Sequence, residues 1–564
     1  MLTATYCHPE PQDEDTKELC LPARNTSTNS NTSIHPATST TNSDVITTQD
    51  EQPLKSEAEN LEEKIYEVVA QTSSSPDDTT TTTFIPDPTL SLPGWRKIAI
   101  ATSLCLVAFI LGFESSITSA LVGPIIQMWH VVPPLALLNV SIFLKGWSFG
   151  TAFFGPISEA YGRQYPLSTG LFLFIVFQIP TALAKNIQTL LVSRFLTGFF
   201  GSVPLVTVYA IFGDVLGVRK REWAMLCFGT SLLVGACLGP IAGAYLVVTH
   251  PATRRNHDGW RWTEYTTIIM SFIIYLTIFI IPETCPHRLH NMRAKKMHPT
   301  NHEEMTDRAA ERHRTSPKRL IDVWLNRPFI MLFTDPLLFL NTLHSALALG
   351  ILYITFETFM LPFLQTRHWL RPDTSSLPPY VTMTLGILCG TTITSYFILT
   401  FITRYFEKYG KMKKPETRLL PVLLGALLLP SGLFWFAWTN SRTQHWLSQA
   451  ASCIFIGAGV LLITQQSEAY TLEIYKPEYR NSVLTATVFL RSLFAAGFTM
   501  ASRPMYERLH VDWATSVWGF ASLGLGICPV VVWGWGERLR RRSRYVTEGQ
   551  AVDGGNVNGD GREV

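Results

Sequence analysis

Residues 155 to 164 read Gly-Pro-Ile-Ser-Glu-Ala-Tyr-Gly-Arg-Gln, a short polar turn between two apolar segments that are each long enough to cross a bilayer. A loop this short must reverse direction at the membrane face. Gly162 supplies the permissive backbone for that reversal. Arg163 marks the side, because short basic loops stay cytoplasmic. Further on, Glu407-Lys-Tyr-Gly-Lys411 repeats the Glu-x-Tyr-Gly-basic pattern after another apolar pair. One half of the chain thus reads as a worn copy of the other.

The composition agrees with a membrane protein. Hydrophobic residues make up 47% of the 564 and charged residues only 16%, against roughly 25% charged in an average soluble domain. Most of the charge lies outside the apolar segments, so the net charge of +3 matters less than its placement. The nine cysteines are dispersed, several within apolar runs, with no Cys-x-x-Cys; this argues against a disulfide framework or a zinc site. Residues 1–95 are rich in Ser, Thr, Asn, Asp and Glu and read as a disordered cytoplasmic tail. No apolar region at the start suggests a cleaved signal peptide. Leu61, Ile65, Val68 and Val69 form at most a transient amphipathic helix there. Asn25 and Asn31 match glycosylation acceptors, which a cytoplasmic tail leaves unused.

Twelve stretches approach the ~20 apolar residues that a spanning helix needs. They lie near 97–120, 135–155, 166–184, 188–212, 223–247, 264–282, 329–355, 379–403, 418–437, 447–469, 481–502 and 513–535. The predicted fold class is an all-α membrane protein, twelve transmembrane helices in two pseudo-symmetric six-helix bundles. The bundles are predicted over 96–285 and 328–536, joined by a basic cytoplasmic linker at 286–327 and followed by a cytoplasmic tail at 537–564. Lys and Arg concentrate in alternate loops (Arg163; Arg219 to Arg221; Lys408 to Lys414; Lys476 and Arg480; Arg538 to Arg544). That asymmetry places both termini inside. The central loop reads as a solvated linker that also fixes topology.

Six plus six spans, a long central loop and the Gly155–Gln164 stretch resemble the major facilitator superfamily. Arg194-Phe-Leu-Thr-Gly198-Phe-Phe-Gly201 resembles that family's fourth-helix motif. Gly235-x-x-x-Gly239-Pro240-x-x-Gly243 resembles the fifth-helix motif of its proton antiporters. Trp260-Arg261-Trp262, Pro282-Glu283-Thr284 and Pro415-Glu416-Thr417-Arg418-Leu419 resemble the fungal twelve-helix drug:proton antiporters. The resemblance implies that Gly155, Glu159, Gly162, Arg163 and Asp214 form a cytoplasmic charge cluster that latches the halves. It also ties Gly235, Gly239, Pro240 and Gly243 to exchange rather than cotransport. From packing alone, three glycines at four-residue spacing give the fifth predicted span a small face for close approach. Pro240 favours a bend, and such a helix at the boundary between halves could seal a cavity.

Ionisable residues inside spans are costly and ask for partners. At ~1.5 Å per residue, Glu114 lies about 24 Å from the cytoplasmic end of helix one and Arg194 about 9 Å from the outer end of helix four. In a ~30 Å core these depths nearly coincide. Glu114 and Arg194 are therefore expected to pair across the N-half cavity, with Lys145 a second candidate partner and Glu114 the leading proton carrier. Arg491 lies near mid-membrane on helix eleven, as a substrate contact or a helix support. Asp335 is expected about 9 Å into helix seven, with Glu357 and Glu468 near opposite faces. Tyr353, Phe356, Phe359 and Phe363 suit a cavity mouth for a flat apolar substrate, or lipid-facing packing.

These readings converge on proton-coupled efflux of small organic molecules by alternating access, with the site near the midplane between helices 1, 4, 7 and 10. Drugs, toxins or fungal secondary metabolites are the substrate class the resemblance implies. A proton-driven nutrient importer and a transporter-like receptor are the alternatives. One proton moving down 100 mV yields ~2.3 kcal/mol, and one pH unit adds ~1.36 kcal/mol. Together these cap export of a neutral solute near roughly 500-fold per proton. No phosphate loop, His-Glu-x-x-His or Gly-x-Ser-x-Gly elbow occurs, so an enzyme is not expected. Nor are a metal or a cofactor expected: the driving force would be the proton gradient. The expected partners are a small-molecule substrate, protons and lipid, with no nucleic acid, for a monomer in the plasma membrane or, alternatively, the vacuolar membrane.

Overall fold

The computed structural model describes residues 92–249, 259–284, 326–367, 372–403 and 415–546. The N-terminal tail, most of the central linker, the Glu407–Lys411 repeat and the last residues of the C-terminal tail lie outside these. So does the Glu159 side chain.

Among the described residues the chain is helical, with one isolated bridge between Tyr475 and Val546. Eleven helical runs are long and apolar enough to cross a membrane. We label the first ten α1 (Gly94–Trp129), α2 (Pro133–Ser158), α3 (Gln164–Ala182), α4 (Ile187–Val215), α5 (Lys220–Thr249), α6 (Arg261–Ile280), α7 (Pro336–Leu364), α8 (Leu377–Phe401), α9 (Pro415–Trp438) and α10 (Trp446–Ile474). The eleventh, Pro477–Arg542, is 66 residues long and is broken at His510, whose φ of 57° and ψ of 168° are not helical. Across that break the Tyr506 hydroxyl meets Thr515 Oγ1 at 3.0 Å. In a straight helix, residues nine apart stand about 13 Å apart along the axis, so the run folds back on itself. Lys476 N–H donates to the carbonyl of Tyr545 at 3.3 Å, which returns the end of the run to the level where it began. The two arms, 480–509 and 511–542, are α11 and α12, giving twelve arms among the described residues.

The helices form two sets of six related by a pseudo-two-fold. α1 packs on α5 as α7 packs on α11, and α2 on α4 as α8 on α10. Between the sets, α2 meets α11 and α5 meets α8, the same pairing under that symmetry. The surface is apolar: Phe153, Phe172, Phe279, Leu427, Phe520 and Trp533 are among many large side chains left exposed. A soluble protein covers such surface, whereas lipid solvates it. The interior is polar by comparison, with buried Ser, Thr, Asn and Gln throughout. These hydroxyls mostly bond the carbonyl three or four residues back, as at Ser193, Thr197 and Thr207, which satisfies them without a partner helix.

Three sequence expectations change here. The seventh span does not start at 329: a short helix, Arg327–Thr334, ends at Asp335, and Pro336 opens α7. Asp335 is therefore the N-cap of α7, not a residue about 9 Å deep. It accepts Leu337 N–H at 3.0 Å, Tyr475 OH at 2.7 Å and Ser543 OH at 2.6 Å. Pro336 has no N–H to give an intrahelical bond and suits the first turn of a helix, so α7 opens there behind the Asp335 cap.

The glycine stripe of α5 faces α1 of its own half rather than the boundary between halves. A Cβ at Gly235, Gly239 or Gly243 would collide with Phe109, with Ser116 and Phe113, or with Ile117. Pro240 lies within the same helix. α5 touches the other half through a different face, where Thr230 and Thr391 hydroxyls meet at 2.9 Å.

Phe359 does not line a cavity mouth. Its ring stacks on Phe436 of α9 with centroids 3.8 Å apart, and both are fully buried in the C half.

Candidate functional site

The charged end of the bundle is built by three ion-pair groups. Arg163 Nε lies 2.6 Å from Asp214 Oδ2, and Arg163 N–H donates to Glu283 Oε1 at 3.0 Å. Gly162, at φ 88° and ψ 173°, holds a backbone conformation that a side chain would strain. The turn after α2, the end of α4 and the segment after α6 are thereby tied together. All three belong to the N half, so these bonds staple that half rather than latch it to the other. Of the motif's described side chains, the contact across halves is at Gly155, where a Cβ would stand 2.6 Å from Thr485 Oγ1 of α11.

One bond between halves at this end was not singled out from the sequence. Arg418, opening α9, donates from Nη1 and Nη2 to Glu222 of α5 at 2.9 and 3.1 Å. Its Nε pairs with Glu473 of α10. One guanidinium thus bridges both halves, and the burial of Arg418 and Glu222 strengthens their interaction. Glu416 of the same Pro-Glu-Thr-Arg turn pairs with Arg540 of α12. We call this the basic end.

Toward the opposite end, Arg194 pairs with Glu114, as the matched depths suggested. The close packing of α2 on α4 makes this possible. Gly198 and Gly146 allow backbone contact there, and Arg194, one turn from Gly198, is brought over the Phe143 ring at 5.0 Å. Arg194 Nη2 also donates to Thr118 Oγ1 at 2.6 Å and to the Glu114 carbonyl at 3.3 Å. The pair sits in the core of the N half, not across a cavity. A second carboxylate joins it: Glu264 Oε1 of α6 is 3.9 Å from Arg194 Nη1. All three side chains are completely buried, and neither Glu264 oxygen has a hydrogen-bond partner. Sequence reading missed Glu264 by starting the sixth span at it; the helix begins at Arg261, which takes Glu264 below the surface.

Lys145 is not a partner of Glu114. It is half-buried and belongs to no ion pair among the described residues. Phe143 takes the place over Arg194, and residues two apart on a helix point about 160° apart. Lys145 shares instead the face of Ser141 and Ser148, which donate to Ala496 and Phe489 carbonyls of α11 at 2.7 and 3.2 Å.

Between the halves lies a cavity lined by residues of α2, α4, α5, α7, α10 and α11, including Trp147, Leu232, Tyr353, Gln465 and Arg491. Of the expected helices 1, 4, 7 and 10, this lining includes α4, α7 and α10, joined by α2, α5 and α11, while α1 reaches its edge through Ser115, which bonds the lining residue Tyr353. Contacts between halves stand at both ends of this space. At the basic end these are Glu222–Arg418 and Tyr209 OH donating to Glu468 Oε2 at 2.5 Å. At the other, Ser115 Oγ and Tyr353 OH meet at 2.8 Å. Arg491 Nη1 pairs with Glu468 Oε1 at 2.8 Å. Glu357 is buried at the far end of α7.

Residues 104–499 match the family model described as the Major Facilitator Superfamily. The chain belongs to this superfamily. Fungal relatives agree over nearly their whole length. An MFS-type transporter, traF, of Penicillium crustosum is 35% identical over 452 residues, covering 80% of this chain and 89% of that protein. The citrinin biosynthesis cluster MFS transporter mrr1 of Monascus ruber is 32% identical, covering 82% and 90%. The cercosporin MFS transporter CTB4 of Cercospora nicotianae is 34% identical, covering 81% and 87%. Among solved structures, the xylose transporter XylE of E. coli in a partially occluded inward-open conformation aligns with a TM-score of 0.57 at 13% identity, covering 78% of this chain and 99% of that one; this likeness concerns the fold. As a major facilitator, the chain is a multi-pass membrane transporter and not an enzyme.

Proposed function

We propose that the protein exports small organic molecules, among them fungal secondary metabolites, in exchange for protons. The carrying observation is the buried cluster of two carboxylates against one guanidinium. Glu114 and Glu264 together bear two negative charges and Arg194 one positive. An unpaired charge in a dry core is prohibitively costly, so the cluster is balanced when one of the two carboxyls holds a proton. Glu264, which has no donor to its oxygens, is the better holder; Glu114 has the direct bond to Arg194. Loss of that proton leaves a net negative charge that only water access or movement of α1, α4 or α6 relieves.

The orientation follows from the Lys and Arg distribution: the basic end is cytoplasmic and both termini lie inside. The cluster then stands near the outer face, where a proton enters from outside. Ser115, next to Glu114, bonds Tyr353 of the other half, which offers a short path from proton to gate. The substrate class rests on relatives named for citrinin, cercosporin and ascochitine. The chain acts as a monomer in the plasma membrane without a cofactor, the gradient being the energy source.

The test has two steps. Comparison of metabolites in medium and cells, with and without the gene, supplies a substrate. Purified protein in vesicles with an acid lumen should then concentrate that substrate inside while the lumen becomes more alkaline. Uptake insensitive to the gradient would refute proton exchange; uptake driven only by an acid exterior would make the protein an importer.

A further inference from the structure

Arg491 is the one charged side chain that borders the central cavity among the described residues. No carboxylate of the described residues borders it. Its ion-pair partner, Glu468, lines a neighbouring space on the basic-end side together with Tyr209 and Glu222, and Gln465 borders both spaces. The guanidinium therefore stands in the wall, with a carboxylate behind it and, in front, a space of about 30 Å³ lined mainly by apolar and aromatic side chains, which has to widen as the halves part before a ring can enter. Arg491 is far from saturated. A guanidinium has five N–H donors; Nη1 holds Glu468, while Nε makes no hydrogen bond although it is buried. Arg491 meets Glu468 at Oε1 as an ion pair, and the other oxygen, Oε2, accepts the Tyr209 hydroxyl at 2.5 Å, so Glu468 retains a hydrogen-bond partner if Arg491 turns away.

We propose that the central cavity binds organic anions, flat and largely apolar molecules bearing one carboxylate or phenolate, and that Arg491 receives the anionic group in place of Glu468. In the empty protein, Glu468 serves as the resident counter-ion. When an anion arrives, one carboxylate replaces another on the same guanidinium, so the cation is never left unpaired. Tyr209 keeps the displaced Glu468 hydrogen-bonded. Trp147 and Tyr353 offer faces for a planar ring, and the leucines around them exclude water, which strengthens the charge-assisted bond. A cation would meet Arg491 with no carboxylate in reach, and a neutral molecule would gain nothing from displacing Glu468.

This inference rests on the exporter reading for the location of the site, but its test needs no gradient. Purified full-length protein is equilibrated with radiolabelled 2-naphthoate or its neutral isostere 2-naphthamide, and binding is measured by dialysis. The expected result is at least tenfold tighter binding of 2-naphthoate. Arg491→Gln should bring the two probes to equal, weak affinity. Glu468→Gln removes the internal competitor and should tighten 2-naphthoate about tenfold while leaving 2-naphthamide unchanged. Equal or tighter binding of the amide, no binding of either probe at millimolar concentration, or an unmoved 2-naphthoate affinity in Glu468→Gln would each overturn the proposal. If Arg491→Gln does not fold, the Glu468→Gln comparison decides alone. Proton exchange is judged separately: a protein that binds 2-naphthoate but ignores the pH gradient keeps this site and loses that mechanism, and the reverse outcome does the opposite.

Discussion

Arg418 and Glu222 are joined by two hydrogen bonds, of 2.9 and 3.1 Å, across the boundary between the two six-helix halves. Both side chains are more than nine-tenths buried, and Arg418 is at the same time held by Glu473 of its own half. Breaking a buried pair by removing one partner costs about 3–5 kcal/mol. Arg418→Gln leaves two carboxylates facing each other without a cation, whereas Glu222→Gln leaves Arg418 with Glu473. The first should open the basic end at least tenfold more than the second. Spin labels at Lys220 and Arg541, one in each half, would read the change as a longer distance population. Equal effects of the two substitutions would show that the pair does not hold the halves.

Glu114→Gln and Glu264→Gln should differ in a defined way. Glu114→Gln leaves Arg194 with the more distant Glu264, which then has to remain ionised and cannot carry a proton. Glu264→Gln leaves a neutral Glu114–Arg194 pair with no site for the extra proton. Both should abolish gradient-driven flux in vesicles. Glu264→Gln should retain downhill exchange, because the ion pair that packs α1 on α4 survives. Normal gradient-driven flux in Glu264→Gln would remove that residue from the mechanism.

Tyr353→Phe deletes the hydroxyl that meets Ser115 at 2.8 Å between α1 and α7. One such bond contributes about 1 kcal/mol, so the far end should open about fivefold more readily. Labelling of a cysteine placed at Ser119, one turn further along α1, compared with and without Tyr353→Phe so that Ser115 stays intact, would report the change. An unaltered labelling rate would mean that this contact does not limit opening.

Gly162→Ala tests the turn after α2. At φ 88° the backbone tolerates a Cβ poorly, and strain of this kind costs about 1–3 kcal/mol. The protein in detergent should unfold at lower temperature, and the Arg163–Asp214 staple should weaken with it. Arg163→Ala should likewise lower stability and, since its bonds stay within one half, change the basic-end distance distribution much less than Arg418→Gln.

Much of this protein is legible along the chain. Lipid demands about twenty apolar residues per crossing and internal satisfaction of every backbone group, so hydropathy alone yields the helices. Lys and Arg placement gives an expected orientation. Depth arithmetic was enough to bring Glu114 and Arg194 together, because a helix advances a fixed distance per residue. What it could not supply was azimuth. Lys145 lies at a depth compatible with Glu114 but on the wrong side of α2, and the α5 glycines turn to α1 although their spacing fits any neighbour.

Glu264, Glu222 and Arg418 show the remaining limit. Each sits within a turn of a helix end, where sequence places a charge in water by default. Only the packing of α6 against α3 and α1 takes Glu264 out of water and to Arg194, and only the meeting of α5 with α9 and α10 buries Arg418 between two carboxylates. The sequence by itself determined twelve apolar helices, their doubling and the identity of the charged residues, because those follow from solvation and helical rise along one chain. The tertiary structure decided which charges share a dry pocket and which pairs cross between the halves. Those are distances between residues far apart in the chain, set by close contact of surfaces that no local pattern records.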